Sequence, residues 1–287
     1  MSADKKLLAL FGLKWNPFSP EVPTEGLTLI KSIDHFAWRV ENLAREGGFA
    51  CMEGPPGSGK SAGLRLVAER LSNLREVRVA ELERPQAGLA DFYRELGDLF
   101  AVELTPHNRW AGAKVLRERW KAHLATVLFR PVLLVDEAQE MITPVLKELR
   151  LLSSASFDSR LLLTVVLAGD GRLSERLRTD HDLLPLGSRV RARLVLDTKS
   201  PDELAEVLVG VMAKAGTPKL MTPELVRTVS EHAGGNVRAM MHMADELLAV
   251  GAEREVRQLD EQLYLEVFAV PAAAAQPRSK RARGGRR

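Results

Sequence analysis

Two short runs in this chain hold residues able to manage a multiply charged anion. The first is Gly54-Pro55-Pro56-Gly57-Ser58-Gly59-Lys60-Ser61, a G-x-x-x-x-G-K-S pattern. A triphosphate needs backbone N–H groups turned toward it, and glycines permit that backbone. A helix opening at Lys60, with Ala62 in its first turn, adds a positive dipole end. On this reading the Lys60 ammonium meets the β- and γ-phosphates and the Ser61 hydroxyl ligates Mg²⁺. The second run is Val132-Leu133-Leu134-Val135-Asp136-Glu137. Four apolar residues ending in two acids describe a buried strand with its carboxylates at the edge where open parallel sheets bind ligands. Asp136 would hold the Mg²⁺ shell, and Glu137 would polarise an attacking water. The chemistry implied is binding and hydrolysis of ATP·Mg²⁺.

Positioning those residues requires a sheet. Apolar strand runs at Phe49–Met52, Val77–Leu82, Val132–Val135, Leu161–Leu167 and Val190–Leu196 are predicted from the pattern. Helical patterns lie at Ile33–Arg45, Ser61–Leu71, Leu89–Phe100, Ala111–Leu128 and Val145–Leu152. Apolar strands alternating with helices imply an α/β fold, a parallel sheet covered on both faces. The first pattern thus follows a strand and opens a helix, the context that gives it meaning.

The flanking segments differ. Residues 1–30 contain Asn16-Pro17-Phe18-Ser19-Pro20 and Pro23, and read as an extended arm anchored by Phe11, Trp15 and Phe18 rather than a helix. Residues 31–197 hold the strands. Residues 198–270 are all helical, near 201–215, 222–233, 236–250 and 258–269. Ser200 with Glu203, and Pro201 between them, form a capping box, and Thr222-Pro223 repeats the start signal. Residues 271–287 form a basic, flexible tail.

The order Lys60-Ser61, then Asp136-Glu137-Ala138-Gln139, then a helical lid resembles AAA+ ATPases. More narrowly it is similar to the ExeA-like group, which includes helper ATPases of bacterial transposition (TniB, TnsC and, more distantly, IstB and MuB). Three stretches carry the likeness over about residues 8–268: Phe11-Gly12-Leu13-Lys14-Trp15-Asn16-Pro17-Phe18, Leu146–Ser153, and Val166-Leu167-Ala168-Gly169-Asp170. The resemblance implies a sensor arginine at Arg238, in Gly234-Gly235-Asn236-Val237-Arg238. It implies a finger arginine, given to a neighbouring subunit, at Arg189, with Arg191 and Arg193 close by. Asp170 stands where the group often has a sensing Gln, so Gly169-Asp170-Gly171 reads either as a sensor or as a plain turn.

Lys114, Arg117 and Lys121 fall at i, i+3 and i+7, one stripe of a helix introduced by Arg109. Such a stripe suits contact with a phosphate backbone or with solvent. The tail carries six basic residues and no acid, so the formal charge of +3 becomes −3 over residues 1–270. A basic arm meets nucleic acid or an acidic partner, or stays solvated. Trp110 and Trp120 read as core rather than base-stacking groups.

With 45% hydrophobic and 28% charged residues, the chain can bury a full core and is not of disordered composition. Its one cysteine, Cys51, permits no internal disulfide and reads as a buried strand residue in a reducing cytoplasm. No run approaches the roughly 18 apolar residues of a membrane span, and the first residues lack the apolar segment of a signal peptide. The resemblance then divides three ways. One is a transposition helper that assembles as a homo-oligomer on duplex DNA, independently of sequence, and activates a transposase. Another is a secretion ATPase of the ExeA type, which couples to a membrane span and a wall-binding domain not found in this sequence. The last is a nucleotide switch without turnover, against which Lys60, Asp136 and Glu137 argue. The first is the expectation.

Overall fold

A computed structural model describes residues 3–28, 30–103, 109–126, 129–156 and 159–268. Five parallel strands form the central sheet: β1 (Gly48–Glu53), β2 (Val77–Leu82), β3 (Arg130–Val135), β6 (Thr164–Gly169) and β7 (Val190–Val195), in the order β2-β3-β6-β1-β7. The central strands read as continuous apolar runs because both faces are covered. Phe49, Cys51, Leu133, Val135, Val165 and Leu167 pack on one side with α4 (Leu89–Phe100), α5 (Arg109–Thr126) and α6 (Thr143–Leu152). Ala50, Met52, Val132, Leu134, Val166 and Ala168 face α2 (Lys31–Glu46) and α3 (Lys60–Ser72) on the other. This is the period-two alternation of a strand with two buried faces. The order makes β1 the turning point. The chain leaves β1 for the far edge at β2, and returns past β1 to β7. Ligands bind outside the carboxyl ends of strands at such a reversal.

Trp120 is fully buried, edge-on to Phe100 with ring centroids 5.3 Å apart, as a core tryptophan should be. Trp110 has no described side chain. The expected strand Leu161–Leu167 divides in two. Arg160–Leu161 (β5) pairs antiparallel with Ser154–Ala155 (β4), and only Thr164–Gly169 enters the main sheet. The segment after β6, without assigned elements in the sequence reading, holds α7 (Gly171–Thr179) and α8 (Leu184–Gly187).

A second apolar cluster gathers α9 (Pro201–Lys214), α10 (Pro223–His232), α11 (Val237–Glu253) and α12 (Glu261–Phe268). Its helix starts are locally encoded. The Ser200 hydroxyl accepts from Glu203 N at 3.2 Å while the Glu203 carboxylate accepts from Ser200 N at 2.9 Å. Thr222 and Asn236 cap α10 and α11 through Leu225 N and Ala239 N. Each such cap is worth about 1 kcal/mol.

The N-terminal arm needs correction: residues Ala3–Phe11 form a helix, α1, with only the segment after it irregular. The prolines that suggested an extended chain all lie beyond Phe11, so they constrain nothing before it. Leu7, Leu8 and Phe11 share one helical face and pack on the lid cluster, joined by Leu13 and Phe18. Lys14 N donates to Ala215 O at 2.9 Å, and Asn16 Nδ2 to Asp245 Oδ1 at 2.7 Å. Residues 271–287 lie outside the described part of the chain. Among the described residues no helix is long and apolar enough to cross a membrane.

Candidate nucleotide-binding site

The loop between β1 and α3 stands at the sheet's turning point. Gly57 has φ +79°, a conformation that strains any residue with a Cβ, and such a Cβ would sit 2.1 Å from Asn236 Oδ1. That absent side chain lets the lid reach the loop. Asn236 Nδ2 donates to Pro56 O at 3.2 Å, and Arg238 N to Gly57 O at 3.3 Å. Lys60 opens α3 and is 6% exposed; its ammonium donates to Gly54 O at 2.9 Å and Pro55 O at 3.1 Å. Both acceptors are backbone carbonyls of the loop, so the ammonium is held at the floor of the cradle.

Ser61 and Asp136 meet across the strand order. Ser61 Oγ donates to Asp136 Oδ2 at 2.6 Å, and Asp136 Oδ1 accepts from Glu137 N at 2.9 Å. A hydroxyl and a carboxylate are the hard oxygen ligands that suit Mg²⁺, so the residues present fit that ion. Glu137 adopts φ +49°, a left-handed conformation costing a non-glycine residue of order 1–3 kcal/mol. That bend separates the two acids. Asp136 stays beside Ser61, while Glu137 lines a cleft of about 310 Å³ together with Gly57, Gly59, Lys60, Ala62 and Arg238.

Gln139, 8% exposed, stands behind Glu137. Its Nε2 donates to Glu137 Oε2, and its Oε1 accepts from Asp170 N at 3.2 Å. A Cβ on Gly169 would come within 2.8 Å of that same oxygen. Asp170 itself caps α7. Its carboxylate accepts from Arg172 N at 2.9 Å and pairs with the Arg172 guanidinium at 2.8 Å. Asp170 thus caps α7, and it is not among the residues lining the cleft. The hydrogen bond from Arg172 holds the Asp170 carboxyl below the usual carboxylate range, with the Lys60 charge adding to the effect.

The three candidate finger arginines lie on and beside β7. Arg191 pairs with Glu46 at 2.9 Å and Arg193 with Glu53 at 3.3 Å. Arg189 donates to Pro185 O at 2.6 Å and is not among the residues lining its own cleft. Cys51, beneath the loop, is fully buried; burial, then the nearby Glu53, pushes its thiol far above the usual range, as befits an inert strand residue.

The basic stripe is reshaped by packing. Lys114 and Lys121 are exposed on α5, with Lys114 3.9 Å from Glu118. The guanidinium of Arg117 instead turns inward and donates to Ser154 O at 2.6 Å. Helical spacing alone could not reveal this, because β4 approaches α5 only in the folded chain. The Arg109 side chain lies outside the described atoms.

The sequence reading missed the apolar end of the cleft. Phe18, Pro20, Val22 and Leu27 from the arm face Val211, Met241 and His242 from the lid. Arg65, on α3 just past the loop, holds the arm there by donating to Pro20 O at 3.2 Å and to Val22 O. The Pro-rich run was the only local signal, and it marked a shape rather than a wall.

Residues 44–177 match a family model described as an AAA domain. General secretion pathway protein A of Aeromonas hydrophila is 29% identical over 252 residues, covering 85% of this chain and 44% of that protein. The chain thus spans less than half the length of this curated relative. Among solved structures, the Aeropyrum pernix ORC2 protein in ADPNP–ADP complexes superposes with a TM-score of 0.70 at 13% identity, covering 88% of this chain and 70% of that one. Cdc6p from Pyrobaculum aerophilum gives 0.66 at 14%, covering 85% and 67%. Drosophila ORC bound to DNA gives 0.64 at 18%, covering 92% and 65%. The architecture is the P-loop AAA+ fold: a five-stranded parallel sheet between helices, with a helical lid following it.

Proposed function

We propose that this chain hydrolyses ATP with Mg²⁺, assembles with copies of itself on duplex DNA, and serves in the cytoplasm as a helper that activates a transposase. The observation that carries the first part is the meeting of four groups from distant segments. Lys60, Ser61 and Glu137 line one cleft that Arg238 enters from the lid, and Asp136 stands behind it, bonded to the Ser61 hydroxyl at 2.6 Å. Lys60 binds the β- and γ-phosphates. Ser61 and Asp136 hold Mg²⁺, which offsets charge on those phosphates when bound. Glu137 accepts a hydrogen bond from the attacking water and aims it, since positioning and electrostatics dominate phosphoryl transfer. The apolar wall of Phe18, Val22, Leu27 and Met241 receives the base. Arg238 reaches the γ-phosphate end, and Arg189 completes the site of a neighbouring subunit.

Support for the DNA part is the exposed pair Lys114 and Lys121, the basic tail, and the DNA-bound form of structural relatives such as Drosophila ORC. The transposase part rests on the resemblance of the three stretches quoted above. A second reading, an ATPase with a protein client in secretion, is favoured by the 29% identity to general secretion pathway protein A. A salt titration of duplex binding, with and without a non-hydrolysable ATP analogue, separates them. The DNA reading expects nucleotide-dependent, sequence-independent binding that weakens steeply with salt, because each neutralised phosphate releases counterions. No nucleotide-dependent binding at low salt would leave the protein-client reading.

A further inference from the structure

We propose that Gln139 is the positioning residue for Glu137, fixing the carboxylate that aims the water and tying it to the junction of β6 and α7. The proposal rests on the hydrolytic reading of Glu137 and goes beyond it. Glu137 leaves β3 through a left-handed bend, so the strand does not dictate where its carboxylate lies. Gln139 Nε2 supplies a hydrogen bond to Glu137 Oε2.

The amide can take only one orientation. Asp170 N–H is a donor, so the Gln139 oxygen must face it, at 3.2 Å, and the NH₂ must face the carboxylate. The backbone of Gln139 is held as well: Arg176 of α7 donates to Gln139 O at 2.8 Å and to Thr143 Oγ1 at 3.2 Å. Gly169 leaves the space the amide fills. Both amide ends are used, the side chain is buried, and its anchors belong to β6 and α7 rather than to the Asp136–Glu137 turn. A shift of that junction therefore moves the amide, and the amide moves the carboxylate.

A glutamate at this place would keep the size and lose the donor. It would also set a second negative charge against Glu137. Gln139→Glu is therefore the sharp variant, with Gln139→Ala beside it.

The test measures steady-state ATP turnover and ATP affinity for the full chain and for Gln139→Ala, Gln139→Glu, Glu137→Gln and the double variant Glu137→Gln/Gln139→Ala. Misplacing a reacting group by about 1 Å can lower a rate as much as ~100-fold. The expected result is a drop in kcat of roughly 10- to 100-fold in Gln139→Ala, at least as large in Gln139→Glu, with ATP affinity unchanged. In the Glu137→Gln background, Gln139→Ala should produce no further loss, because residues acting as one unit are not additive. Wild-type kcat in both single variants, or an equal fractional loss with and without Glu137, would overturn the proposal. A rise in KM alone would do the same. Should Gln139→Ala fail to fold, the isosteric Gln139→Glu decides. Full turnover by Glu137→Gln is the separate result that removes the hydrolytic reading, and this proposal with it.

Discussion

Ser61 Oγ and Asp136 Oδ2 lie 2.6 Å apart although 75 residues separate them in the chain. The strand order creates this pair: β1 and β3 flank β6, and all three end at one edge. Lys60 and Glu137 are their sequence neighbours and reach the same cleft with different tasks. Lys60→Ala should weaken ATP binding by about 2–3 kcal/mol, since it removes the charged donor of the cradle. Glu137→Gln should bind ATP normally and turn over roughly 10²- to 10⁴-fold more slowly. Isothermal titration and phosphate release measure the two effects, and normal turnover in Glu137→Gln would remove it from the mechanism.

Arg189 is not among the residues lining its own cleft, and the finger role proposed for it predicts a contribution made to the next subunit. ATPase activity is expected to rise faster than linearly with protein concentration. Mixing Arg189→Ala with Glu137→Gln subunits should recover activity at the interfaces that pair an intact Arg189 with an intact Glu137. Strict proportionality in a particle that stays monomeric with ATP would refute the trans arrangement.

Lys114 and Lys121 point into solvent from the helix whose Arg117 turns inward to Ser154 O. Lys114→Glu with Lys121→Glu should lower duplex affinity and flatten its salt dependence by about 0.9 per lost phosphate contact on a log–log plot. Nucleotide affinity and thermal midpoint should stay the same. Arg117→Gln should instead lower stability by about 1 kcal/mol, the net value of a hydrogen bond, and change DNA affinity less. An equal effect of all three on DNA binding would show that the inward turn of Arg117 is not kept in solution.

Asp170 links stability to pH. Its folded carboxyl titrates below its unfolded value because of Arg172, so its contribution is present above the unfolded value near pH 3.9 and fades as pH falls through the lower folded value. Asp170→Ala, which also loses the α7 cap, should cost about 1 kcal/mol at pH 7 and progressively less below pH 4. Thermal melts across that range check the sign; a penalty growing with acid would contradict the pairing.

Local patterns were sufficient for much of this molecule. The apolar runs Phe49–Met52 and Val132–Val135, the Gly54–Ser61 loop and the Ser200–Glu203 cap each depend on residues a few positions apart. Their outcome is written in neighbouring side chains. The helix Ala3–Phe11 was obscured by prolines that follow it, and its stability comes from the lid surface it covers. What only the tertiary structure decided are the meetings across long separations: Gly57 with Asn236, Arg65 with the arm, Arg117 with Ser154, Gln139 with Asp170. Strand order and helix packing choose those partners. A sequence shows that Gln139 can donate and accept a hydrogen bond, but only the folded chain shows that it does both at once, between Glu137 and the end of β6.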